Sequence, residues 1–217
     1  MYSLKLYYDT LSPNAEMDYL ESQHSICYVL EGSAVINGNA LEADGATYCR
    51  DYVSAQAGAT GAVIWRWELE RTEKAAGIGS GTGVRSILRM ARALQMFKLV
   101  PTGKWLFRLD CIYECKGSTG LHSHPGSGIR SMLSGSMSVS SAVGENSDND
   151  GCGAVWYEEG SYPLVSTVAE GSTANFLRGM VLPVEYMVYP DTAVWIEGNK
   201  SVESEWKAYV QQIVSLR

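Results

Sequence analysis

Two histidines one residue apart, His122 and His124, are the residues whose types and spacing can do chemistry. That gap puts both side chains on one face only on a β-strand, where side chains alternate with a period of two. Side by side on a strand, two imidazoles can chelate one divalent ion, and imidazole suits zinc, iron, copper or nickel. Pro125, Gly126 and Gly128 then turn the chain, and Ile129 to Ser134 reads as a returning strand that ends at Gly135. The only other histidine is His24, so none follows His124.

The whole run, Gly117-Ser-Thr-Gly-Leu-His122-Ser-His124-Pro-Gly-Ser-Gly128-Ile-Arg130-Ser-Met-Leu-Ser-Gly135, resembles the first motif of the cupins, small β-barrel proteins. Their pattern is glycine, five residues, His-x-His, three or four residues, glutamate, six residues, glycine. Anchored on Gly135, His122 and His124 fall in place and the opening glycine is one off at Gly117. Gly128 stands where the glutamate belongs, which removes one ligand. The histidine of the second motif is missing too. Gly126-x-Gly128-Ile-Arg130, with Trp156-Tyr-Glu158 and Pro163, looks like a branch of bacterial cupins without an assigned reaction.

The resemblance implies an all-β protein built on the double-stranded β-helix, or jelly roll, with minor helices. In such a barrel His122 and His124 point into a cavity, and Arg130, sharing the parity of Gly128, points inward as well. A buried guanidinium needs a partner, and a carboxylate or phosphate can give it two parallel hydrogen bonds. Two readings stay open. In one, His122 and His124 bind a divalent metal (zinc, nickel, iron or manganese) with Glu158 as third ligand and Glu159 as the other candidate. Arg130 then grips a small anionic organic substrate, as in a metal-dependent dioxygenase, isomerase or lyase. In the other no metal binds, and the histidines with Arg130 form a non-catalytic anion pocket or a satisfied core.

Elements around the motif agree with a β-rich chain. Ile26 to Val35 with Gly32 inside reads as strand, turn and strand, and Asn37-Gly38 is the strongest short hairpin signal. Three stretches repeat in order: Val29-Leu-Glu-Gly32 against Met132-Leu-Ser-Gly135, Gly45-Ala-Thr-Tyr48 against Gly153-Ala-Val-Trp156, and Ala62-Val-Ile-Trp-Arg66 against Ala174-Asn-Phe-Leu-Arg178. The expected organisation is a duplicated chain, a bicupin. Residues 1–72 form a half without histidine ligands, 73–104 a basic Gly-rich linker, 105–200 the half with His-x-His, and 201–217 a tail. Tyr19 and Glu21 take the histidine places in the first half, and His24 reads as a surface or loop residue. Ile87, Leu88, Ala91 and Leu94 share a helical face within 84–94. The tail fits either a helix or an edge strand.

Composition bounds the rest. The 217 residues carry a net charge of −7, which argues against nucleic acid as a partner. No apolar run approaches the roughly 20 residues that cross a bilayer. The N-terminus lacks the apolar core of a signal peptide, so a cytoplasmic protein with no membrane partner is expected. Five scattered cysteines form no CxxC pair and indicate neither zinc knuckle nor disulfide framework. From Lys74 to Arg108, both included, there are seven basic and no acidic residues. With 13 Tyr and 6 Trp, self-association as a homodimer is expected, since aromatics are enriched at interfaces.

Overall fold

The computed structural model describes residues 1–74, 77–94, 103–114, 117–142, 146–189, 191–197 and 204–216. The chain divides into two compact units, Met1–Leu94 and Gln95–Arg217. Among the described residues nearly every element is a strand, and every strand pairing is antiparallel. No helix among the described residues is long and apolar enough to cross a membrane.

The first unit holds β1 (Tyr2–Leu11), β2 (Glu16–Ile36), β3 (Asn39–Glu42), β4 (Gly45–Arg71) and β5 (Val84–Ala93). They form one sheet in the order β3-β2-β4-β1-β5. Asn37 and Gly38 both take positive φ, 47° and 81°, the mirror-image turn that joins twisted strands tightly. β4 wraps around β2, because Ile26 lies opposite both Tyr48 and Trp67. The sheet therefore curls over a core that includes Leu11, Cys27, Ile36, Val53 and Ile64.

The second unit holds β6 (Lys104–Glu114), β7 (Gly117–Ser118), β8 (Leu121–Ser123), β9 (Gly128–Ser141), β10 (Asn146–Asp150), β11 (Val155–Glu158), β12 (Leu164–Val168), β13 (Ala174–Pro183), β14 (Val194–Glu197) and β15 (Ser204–Ser215). Their order is β14-β8-β12-β9-β13-β6-β15, with β10 and β11 on β9 and β7 on β12. Met132, Val139, Trp156, Leu164 and Phe176 fill the core. The architecture is the expected all-β jelly roll, and among the described residues the helical content is one 3-10 turn at Val184–Val188.

Two local devices occur in both units. Gly32 has φ +72° and a Cβ there would stand 2.0 Å from the Gly61 carbonyl oxygen; Gly135 has φ +84° and a Cβ would stand 1.8 Å from that of Thr173. Only glycine tolerates both the conformation and the approach. An Arg–Asp pair is buried in each unit as well, Arg66 with Asp9 and Arg178 with Asp110.

Several local expectations are corrected. Residues 84–93 form a strand and not a helix, pairing with β1 from Leu11 opposite Val84 to Ser3 opposite Ala93. The free edge of β1 satisfies that segment's backbone, which outweighs a narrow apolar stripe. This stretch of the expected linker thus belongs to the sheet of the first unit. The tail adopts its second option, since β15 is an edge strand on β6. His24 is buried on β2, 6% exposed, and not on the surface or in a loop; its Nδ1 lies 2.7 Å from the Tyr48 hydroxyl. Tyr19 and Glu21 are exposed. Cys27 and Cys49 are buried, Cys111 is half-buried and Cys152 exposed; Cys115 lies outside the described residues.

Candidate anion pocket

Strand register in the second unit decides which side chains meet. Pairing puts Trp156, Arg130, Arg178 and Asp110 in one row across β11, β9, β13 and β6. The next row, two residues along, is Glu158, Gly128, Met180 and Arg108. Paired residues share a face of the sheet, and so do rows two residues apart. Three arginines, two carboxylates and an indole therefore stand together, and Gly128 leaves a gap among them.

Arg130 fills that gap. It is 0% exposed, and its Nη1 donates to the Gly128 carbonyl at 2.6 Å. A Cβ at position 128 would come within 3.0 Å of the same nitrogen and 2.7 Å of the Gly179 oxygen and Met180 Cγ. Across the gap, Nη2 lies 2.6 Å from Glu158 Oε2. That contact is an ion pair without hydrogen-bond alignment, since Nε and Nη2 of Arg130 both lack an aligned acceptor. Arg178 uses the same Nε and Nη2 edge to grip both oxygens of Asp110, at 2.8 and 2.9 Å. Arg108 Nε reaches Asp110 Oδ2 at 2.8 Å.

Glu158 is held by several groups. The Trp156 indole N–H donates to Oε1 at 2.9 Å, and His124 Nε2 stands 3.3 Å from Oε2. Burial pushes its carboxyl up, yet the charge of Arg130, followed by His124 and the indole N–H, holds it well below the usual carboxylate range.

The histidines are positioned from behind. His122, on β8, donates from Nδ1 to the Gly120 carbonyl at 2.9 Å. Burial, then the neighbouring His124, lowers its pKa to about 4, so it is a neutral imidazole with Nε2 as acceptor. Its ring packs on Trp195, centroids 5.1 Å apart, and edge-on against His124 at 5.1 Å. Nδ1 of His124 faces the Thr192 carbonyl at 3.1 Å. His122, His124, Arg130 and Glu158 line one cavity of ≈ 50 Å³, with Trp195 and Trp206 among the groups around it.

All four residues singled out from the sequence thus stand around one space; Glu159 does not line it. Arg178, Asp110 and Thr192 were missed. Arg178 closes one of the repeated stretches, and Arg108 and Asp110 share strand parity, but neither fact locates them beside Arg130. The first unit, expected to be a half without histidine ligands, buries a charged cluster of its own. Arg66 donates from Nε to Asp9 at 2.7 Å and from Nη1 to Glu68, and lies 4.4 Å over the Tyr7 ring. Lys5 pairs with Glu70 at 3.3 Å. Burial, partly offset by Arg66, raises Glu68 to about 7.

A divalent ion fits this donor set poorly. The 3.3 Å between His124 Nε2 and Glu158 Oε2 would suit two ligands of one tetrahedral ion, which are about 3.4 Å apart when each is about 2.1 Å from it. The guanidinium on that same oxygen does not suit it, because a second cation beside Arg130 is repelled. Among the described residues, no three His, Cys, Asp or Glu side chains converge as a metal site.

No family model matches the sequence, and no curated protein matches it significantly. Solved structures do. Oxalate decarboxylase from Bacillus subtilis matches with a TM-score of 0.57 at 12% identity, over 83% of this chain and 68% of that one. Another structure of that enzyme, described for its Mn(II) centres, matches at 0.55 and 13%, over 82% and 68%. Salicylate 1,2-dioxygenase from Pseudaminobacter salicylatoxidans matches at 0.50 and 12%, over 82% and 71%. At such identities the likeness establishes the fold alone: this chain shares the cupin fold with a decarboxylase and a dioxygenase.

Proposed function

We propose that the second unit binds a small organic anion, a carboxylate seated against Arg130, and that the two units are halves of a duplicated cupin chain. One observation carries the binding reading. Arg130 is wholly buried beside a cavity, and its Nε and Nη2 lack aligned acceptors. An unmet buried donor costs about 1–3 kcal/mol, and a carboxylate on that edge would relieve it with two charge-assisted bonds. The cavity of ≈ 50 Å³ has room for a few water-sized groups, at about 10–15 Å³ each. The duplication rests on the shared glycine approach and Arg–Asp pair.

The test is calorimetric titration of the intact chain with oxalate, salicylate, gentisate and short monocarboxylates; a variant of the similar dioxygenase is known in complex with gentisate. Binding of one anion per chain is expected, weakened by about 1.5–3 kcal/mol in Arg130→Met. No binding of any of them at millimolar concentration would end this reading.

A metal-dependent dioxygenase, isomerase or lyase is the second reading. Its support is the pair of imidazoles with Nδ1 set against backbone carbonyls, the arrangement that fixes metal-ligating histidines. It needs Glu158 released from Arg130. Elemental analysis of the purified protein, with and without added Mn(II) or Zn(II), decides it.

A further inference from the structure

We infer that Arg130 is the residue that sets the specificity of this pocket for anions over metal ions, because its guanidinium and a divalent cation are alternative partners of Glu158. The inference rests on the anion reading above only in its last clause, the preference for a carboxylate.

The geometry of three side chains carries it. Glu158 Oε2 has two neighbours, Arg130 Nη2 at 2.6 Å and His124 Nε2 at 3.3 Å. Without the guanidinium, two imidazoles and a carboxylate would line one cavity, donor types that suit a transition metal once drawn together; as the chain stands the three do not converge. With it, the carboxylate is neutralised and a fixed positive charge sits on the oxygen an ion would take. Gly128 is what permits this, since any side chain there would collide with the guanidinium and with the Gly179 carbonyl. Arg130 is 0% exposed, so its charge lies inside the site and not in water. It cannot shed its charge at any ordinary pH. Arg130, Arg108 and Arg178 outnumber Glu158 and Asp110 by one positive charge, so the site favours an anion over a second cation.

The experiment titrates Zn(II) and Mn(II) into wild type, Arg130→Met and Arg130→Met/His122→Ala, followed by calorimetry and equilibrium dialysis, with carboxylates titrated into the same samples. Wild type is expected to take up no more metal than a His122→Ala control. Arg130→Met should gain one ion per chain, at least about tenfold tighter than wild type, and the added His122→Ala change should abolish the gain. Stoichiometric binding by wild type that is lost in His122→Ala overturns the inference. So does a folded Arg130→Met chain that binds no metal. Should Arg130→Met fail to fold, the comparison of wild type with His122→Ala decides alone. If metal behaves as expected but no carboxylate binds wild type, the anion reading fails while the exclusion of metal by Arg130 stands.

Discussion

Arg130 lies folded over Gly128, with its Nη1 on the Gly128 carbonyl at 2.6 Å and a Cβ at that glycine only 3.0 Å from the same nitrogen. The absence of a side chain at 128 and the inward guanidinium at 130 are one feature. Gly128→Ala should therefore destabilise the second unit by about 1–3 kcal/mol, as overpacking does. It should also weaken carboxylate binding by moving Arg130. Urea unfolding and calorimetry check this; an unchanged midpoint and affinity would show that the guanidinium has room elsewhere.

Glu158→Gln keeps the volume and removes the charge opposite Arg130. A buried ion pair broken on one side costs about 3–5 kcal/mol, because the remaining charge is uncompensated. The second unit should unfold at a markedly lower denaturant concentration. Added carboxylate should restore part of the loss if it supplies the missing charge, which a thermal shift series measures.

His122 makes the second unit sensitive to mild acid. Its folded pKa of about 4 lies below the ordinary imidazole value of 6.5, so the unfolded chain binds the proton more readily. The contribution is full above 6.5 and is lost as pH falls towards 4, amounting to about 3 kcal/mol at most. His122→Phe should flatten that part of the stability curve. A curve for the second unit that stays level between pH 6.5 and 4 would contradict the burial of a neutral imidazole.

Glu68 does the opposite in the first unit. Its pKa is raised to about 7 from 4.5, so the folded state holds the proton more tightly. The stabilisation is present below 4.5 and fades as pH rises through 7, again by about 3 kcal/mol at most. Glu68→Gln, neutral and of like shape, should raise the first unit's stability at pH 8 and remove its pH slope. Amide hydrogen exchange on β1 and β4 against β9 and β13 would resolve the two units and their opposing trends.

Asp110 joins Arg108 and Arg178 through both oxygens. Asp110→Asn should leave two guanidinium groups short of an anion, costing about 3–5 kcal/mol. It should also loosen Thr192, which Arg178 Nη1 contacts at 3.3 Å and which stands behind His124. Broadening of the His124 ring signals in NMR would report it; sharp, unshifted signals would mean that Thr192 is held without Arg178.

Strand character was legible in the chain because it is written at short range. The His-x-His spacing, the left-handed glycines and the Asn37-Gly38 turn each depend on neighbours a few residues away, and a period of two places His122 and His124 on one face. The same local rules misread residues 84–93, where helical spacing yielded to the free edge of β1. What surrounds Arg130 was decided only by tertiary pairing. Trp156, Arg178 and Asp110 lie far along the chain from one another, and a slip of one residue in any register would turn its side chain to the opposite face. Whether Glu158 serves as a metal ligand or as the counter-ion of a guanidinium rests on that register and on the gap at Gly128, two features that no local pattern records.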